Sequence, residues 1–178
     1  MMLDFKERRR RTQRQRLAVG FSLIELLVVV AVILIIAAIA IPNFMRARMA
    51  ANEAAAASSV RAITTAEVSY STTYGVGYAP LTNLGGAAPC TPSAATACLI
   101  DQLLAAGTKS GYNISTPVPA AVGTLVAPNI SFVVVAVPVA VGVSGQRSFC
   151  TDESGVIHFD PAGGAVATEA ACEALSPL

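Results

Sequence analysis

The sequence predicts an α+β fold: one long N-terminal helix whose second half packs against a small antiparallel sheet. Three observations carry this expectation. All sixteen residues from 26 to 41 are apolar. Residues 43–74 are rich in alanine, a strong helix former, and contain neither glycine nor proline. Beyond Gly111, short β-branched runs alternate with turn residues and prolines.

With 178 residues, the chain has room for one modest domain and a membrane segment. Its net charge of +1 hides two opposed parts. Residues 1–20 hold seven basic side chains (Lys6, Arg8, Arg9, Arg10, Arg11, Arg14 and Arg16) against Asp4 and Glu7, a net of +5. Residues 21–178 hold five basic and nine acidic side chains, a net of −4. A basic cluster can bind nucleic acid. Set directly before an apolar span, it reads better as the positive-inside signal, with the N-terminus cytoplasmic and the remainder outside. No nucleic-acid partner is therefore predicted. Residues 1–20 lack apolar periodicity and read as a processing segment.

Across residues 21–41 the only polar side chains are Ser22 and Glu25. As a helix, those 21 residues measure roughly 31 Å, close to a hydrocarbon thickness of ~30 Å. A soluble helix would show a polar face. Glu25 is the anomaly, because a carboxylate beside an apolar span is costly and marks a functional candidate. The plainer reading places it near the helix end, reaching the headgroup layer. A secretory signal cut after Ala38-Ile39-Ala40 is a further alternative, although the apolar stretch is longer than such signals use.

Pro42 either kinks this helix or ends it. The alanine-rich sequence beyond it favours continuation. Val60, Ile63, Tyr70 and Tyr74 recur at helical spacing, with Glu67 interrupting the set, and Gly75 and Gly77 end the pattern. A helix over residues 21–74 would have 54 residues and run roughly 81 Å, more than a small domain can bury. Its first half is expected to project into a membrane or among neighbouring subunits. Arg46 and Arg48 form a solvated face or pair with acids of a neighbour.

Residues 75–111 read as a loop-rich connection with one short helix near 99–106. Four strands are expected, at 112–117, 130–137, 147–151 and 155–159, with Asp152-Glu153-Ser154-Gly155 as a hairpin turn. Pro117, Pro119, Pro128 and Pro138 mark strand ends or edges. The four cysteines, Cys90, Cys98, Cys150 and Cys172, all follow the span. Their even number and their compartment favour two disulfides. Of three possible pairings, short loops favour Cys90–Cys98 and Cys150–Cys172. Zinc is disfavoured: there is no CxxC pair, and His158 is the only histidine.

The stretch Gly20-Phe21-Ser22-Leu23-Ile24-Glu25-Leu26-Leu27-Val28 resembles the prepilin cleavage and methylation motif of type IV pilins and type II secretion pseudopilins. A basic leader, a glycine, a first mature phenylalanine and a glutamate four residues later carry the resemblance. The unbroken apolar run and Pro42 extend it. Close likeness covers about residues 17–75, and beyond that it is one of architecture. The resemblance implies cleavage between Gly20 and Phe21 by a membrane prepilin peptidase, then N-methylation of Phe21. It implies a leader at 1–20, a transmembrane or filament-core helix at 21–42, and a head at 43–178. The head would hold an αβ-loop, the four-stranded sheet and a C-terminal disulfide loop closed by Cys150 and Cys172. Glu25 of one subunit would neutralise the Phe21 amine of a neighbour during assembly. Unpaired charges in a low-dielectric bundle are costly, which gives that role a physical basis.

The implied function is a structural subunit, not an enzyme, that polymerises into a pilus filament. Its partners would be copies of itself, the prepilin peptidase and an inner-membrane assembly platform. It would sit in the inner membrane before assembly, and at the cell surface or in a periplasmic pseudopilus afterwards. Two alternatives stand beside this: a type II secretion pseudopilin, and a monomeric anchored or secreted binding domain. No phosphate loop, dinucleotide glycine pattern or metalloprotease motif occurs. His158 beside Asp160 has no nucleophile context. Asp152, Glu153 and Asp160 do not repeat the calcium pattern of major pseudopilins. No cofactor or metal is expected.

Overall fold

The computed structural model describes residues 20–178, so all but the last residue of the expected leader at 1–20 lies outside the described residues. The described chain is α+β: one long helix and a small antiparallel sheet. Two compact units divide the chain after Ala40.

Helix α1 runs from Leu23 to Tyr74. Its first turn closes on the Ser22 carbonyl, which accepts from the Leu26 N–H at 3.1 Å. The helix continues through Pro42. A proline inside a helix costs ~3 kcal/mol, and the uninterrupted alanine-rich sequence beyond it outweighs that local penalty. Gly75 and Gly77, both with positive φ, terminate it. At Gly77 a side chain is excluded twice, because φ is +79° and an added Cβ would fall on the Asn129 backbone.

In the unit from Ile41 to Leu178, α1 buries a stripe of Ala56, Val60, Ile63, Glu67 and Tyr70 at alternating four- and three-residue spacing. Its apolar members, Ala56, Val60, Ile63 and Tyr70, belong to one core with Tyr112, Ile114, Val134, Ala136 and Phe149 of the sheet. The sheet is a six-stranded antiparallel meander in chain order. Its strands are β1 (Thr108–Lys109), β2 (Tyr112–Val118), β3 (Val133–Pro138), β4 (Ser148–Thr151), β5 (His158–Asp160) and β6 (Ser176–Pro177). Strands β2 to β5 correspond to the four expected from sequence, although β5 begins at His158 and not at 155, because Gly155 at φ +73° belongs to the preceding turn; the two-residue edges β1 and β6 are additional. Among the described residues, three short helices accompany these elements: α2 (Leu81–Leu84), α3 (Gln102–Ala105) and α4 (Glu169–Glu173).

Several boundaries differ from expectation, each for a local reason. β3 begins at Val133 and not at 130, since Asn129 is committed elsewhere. Its backbone N–H donates to Val76 O, and its side-chain amide donates to the carbonyls of Tyr78 and Ala121. Ile130 is left 84% exposed in the connection. Pro117 lies within β2 and not at its end. It falls where the β2–β3 register shifts between Ser115 and Val118, and its missing N–H removes nothing from a regular ladder there. α3 is shorter than expected because Asp101 caps it, accepting from the Leu104 N–H at 2.8 Å.

β3 is apolar on both faces because both are covered. Val134 and Ala136 join the α1 core, while Val133 and Val135 pack with Cys150 and Cys172. Cys90 is bonded to Cys98 and Cys150 to Cys172, so the second bond joins the tail to β4 across 22 residues. Replacing Cys150 and Cys172 together with alanine should lower stability by roughly 3 kcal/mol, on the loop-closure scale. Denaturant unfolding of the purified protein measures this, and an unchanged midpoint would count against the bond as a staple.

Candidate functional site

The start of α1 brings Phe21 and Glu25 to the same exposed end of the chain. Phe21 is 71% exposed and Glu25 lies exposed in the first helical turn. A carboxylate there is favoured by the partial positive charge of the free N–H groups at the helix N-terminus. Gly20 precedes them in irregular backbone, with nothing within 4 Å of where a Cβ would stand. The large apolar side chains that follow are exposed all around the helix, from Leu23 at 80% to Val30 at 46%. The helix is long and apolar enough to cross a membrane. Such a surface far exceeds the apolar patch that a soluble monomer tolerates, so lipid or protein must cover it.

Within the head, the side chains that fix the loops are acids of α1. Glu53 Oε1 accepts from the backbone N–H groups of Gln146 and Arg147, and its Oε2 accepts from Arg147 Nε at 2.9 Å. Arg147 Nη2 reaches the same Oε2 at 2.8 Å, so both guanidinium nitrogens converge on one oxygen. Burial opposes ionisation of Glu53. The Gln146 N–H and the Arg147 side chain and backbone outweigh it and hold the pKa below the usual carboxylate value. Asn52 adds a bond from Nδ2 to Ser144 O at 2.7 Å. Together these clasp the 139–147 connection to the helix. Their partners lie more than ninety residues apart in sequence, and the only local sign of them was a polar pair in an alanine-rich run.

Glu67 is fully buried. Its Oε2 accepts from the Ala79 N–H at 2.9 Å, while Oε1 is buried without a partner. Desolvation pushes its pKa up to about 7, against the smaller lowering effect of the Ala79 bond. The sequence marked Glu67 only as an interruption of an apolar stripe. In the structure it is the inner anchor that holds the start of the 75–111 connection.

The remaining candidates are taken up locally. His158 Nδ1 bonds the Leu175 carbonyl at 2.9 Å, so that nitrogen carries the proton and helps hold β5 to the tail. Asp160 accepts from the N–H groups of Ala162 and Gly164, closing a loop instead of orienting His158. Asp152 Oδ1 accepts from the backbone and hydroxyl of Ser154 within the β4–β5 turn. Among the described residues, no group of three His, Cys, Asp or Glu side chains is arranged to hold a metal. Arg46 and Arg48 are exposed and form no ion pair among the described residues.

No family model matches the chain, and no solved structure matches it. The chain is similar to the type IV major pilin protein PilA of Myxococcus xanthus (strain DK1622), with 47% identity over 51 residues. That stretch is 29% of this chain and 23% of the relative, so the chain spans less than a quarter of the curated protein it matches. In this similarity, and in a long helix set on a small antiparallel sheet, the chain resembles the type IV pilin family.

Proposed function

We propose that this chain is a type IV pilin-like structural subunit. It is cut between Gly20 and Phe21, methylated at Phe21, held in the inner membrane by the apolar part of α1, and polymerised into a helical filament. The observation that supports this best is the apolar part of α1 itself. Its large side chains are exposed from Phe21 to Ile41, and the similarity is to a major pilin. A bilayer covers that surface before assembly, and the same helices of other copies cover it afterwards.

Each candidate residue has a physical task on this reading. Gly20 lets a protease approach the backbone closely. Cleavage after it leaves a new ammonium group at Phe21, at the head of a helix that keeps its span. Glu25 pairs with the Phe21 ammonium group of a neighbouring subunit, which sets the axial register. The prepilin peptidase and an inner-membrane assembly platform are the partners this requires.

N-terminal sequencing of material sheared from cells tests the processing step. The expected start is N-methylated Phe21. A start at Ile41 would mean a secretory signal and a released domain, and a start at Met1 would mean no processing.

A further inference from the structure

Before α1 reaches the core of the head, it carries a bare collar. In the unit that begins at Ile41, the first buried residue of α1 is Ala56. Every side chain from Asn43 to Arg48 is exposed. Phe44 at 69% and Met45 at 48% extend the apolar surface past Pro42. Arg46 and Arg48 follow, and neither forms an ion pair among the described residues.

Depth and direction together select a partner for these arginines. They lie five and seven residues beyond Ile41, roughly 7.5 and 10.5 Å along the helix. Helical side chains lean toward the N-terminus of their helix, which carries both guanidinium groups back toward Ile41. A headgroup layer extends roughly 5–7.5 Å beyond the hydrocarbon, so the two charges fall at the level of lipid phosphates. Around the helix, two residues of ~100° each set Arg46 and Arg48 about 160° apart. A protein docked on one side would meet one of them, whereas a lipid layer encloses both. The acids at this end of the unit are engaged in their own contacts. Glu53 accepts from Gln146 and Arg147. Asp160, opposite Ser148 in the sheet, accepts from the N–H groups of Ala162 and Gly164.

We propose that Arg46 and Arg48 bind phosphate groups of anionic phospholipid in the leaflet from which the head emerges, with Phe44 and Met45 seated toward the acyl boundary. A guanidinium group presents paired N–H donors that match phosphate oxygens. Phosphatidylglycerol offers that phosphate without the attached cation that a choline headgroup carries. Each arginine near the membrane surface favours an anionic lipid roughly 5-fold. The inference rests on the membrane-held stage of the proposed function and adds the lipid chemistry that holds the subunit there.

Short-range fluorescence quenching on the full-length chain tests it. Every native cysteine is bonded and Ala47 is exposed, so Ala47→Cys adds one free thiol between the two arginines for a fluorophore. The chain is reconstituted in vesicles of phosphatidylcholine and phosphatidylglycerol in equal parts. A nitroxide is carried near the top of the acyl chain by one lipid or by the other. The labelled phosphatidylglycerol should show a local affinity at least about 5-fold above that of labelled phosphatidylcholine. Arg46→Gln with Arg48→Gln should bring the two lipids level. Both arginines are exposed and unpaired among the described residues, so the change removes no ion pair of the head. Equal quenching in the unsubstituted arginine background would overturn the proposal, as would a preference that survives the double substitution. Flotation of the vesicles separates the two readings. A chain that floats but is quenched by neither lipid refutes the collar contact alone, and a chain that does not float refutes the membrane-held stage with it.

Discussion

Glu25→Ala should leave the chain cleaved and membrane-held but abolish its assembly. Glu25 is the only acid in the span and lies four residues from Phe21, whose amine the proposed cleavage would expose. In the core of a helical bundle, each charge is tolerable only beside its opposite. Removing one partner of a buried pair costs ~3–5 kcal/mol, mostly from stranding the other. At ~1.4 kcal/mol per tenfold, that penalty weakens each subunit junction by roughly 100- to 4000-fold. The measurement is an immunoblot of sheared and membrane fractions with N-terminal sequencing of both. Processed protein should remain in the membrane while the sheared fraction is lost. Filaments at the unsubstituted yield would remove Glu25 from the assembly step.

Glu67→Gln should abolish a pH dependence of stability that belongs to the head. The native carboxyl, raised from 4.5 to about 7, binds its proton more tightly than the unfolded chain does. The contribution is therefore fully present below pH ~4.5 and is lost as pH rises through about 7. At 1.36 kcal/mol per unit, the loss across this window is about 3 kcal/mol. Tyr70, raised by burial and to a smaller extent by Tyr74 and Glu67, is a titratable neighbour and ionises only at far higher pH. Glutamine keeps an oxygen for the Ala79 N–H without charge to desolvate. Unfolding of the two proteins between pH 5 and 8 should show their stabilities diverging, with the variant relatively more stable at the alkaline end. Parallel curves would mean that Glu67 is solvated or paired in solution.

These two acids stood very differently in the sequence. Glu25 announced itself because everything around it is apolar, and its motif could be read from nine adjacent residues. Glu67 sits among alanines, serines and threonines, where a charge signals only a surface turn. Its burial follows from its position on the inward stripe of α1, between Ile63 and Tyr70, and from the path of the chain that returns Ala79 over it. Glu53 has the same history, since the Gln146 and Arg147 groups that it binds arrive only when the sheet closes on the helix.

The apolar span, the helix that outlasts Pro42, its glycine stop and the approximate places of the four main strands were set by the sequence alone. Propensity and periodicity act over a few neighbouring residues and can be read there. The edge strands, the start of β3 at Val133, the burial of Glu67 and the Glu53–Arg147 clasp were decided only by the tertiary structure. Each depends on groups that are distant in the chain and meet only after folding, where desolvation and hydrogen-bond satisfaction override local preference.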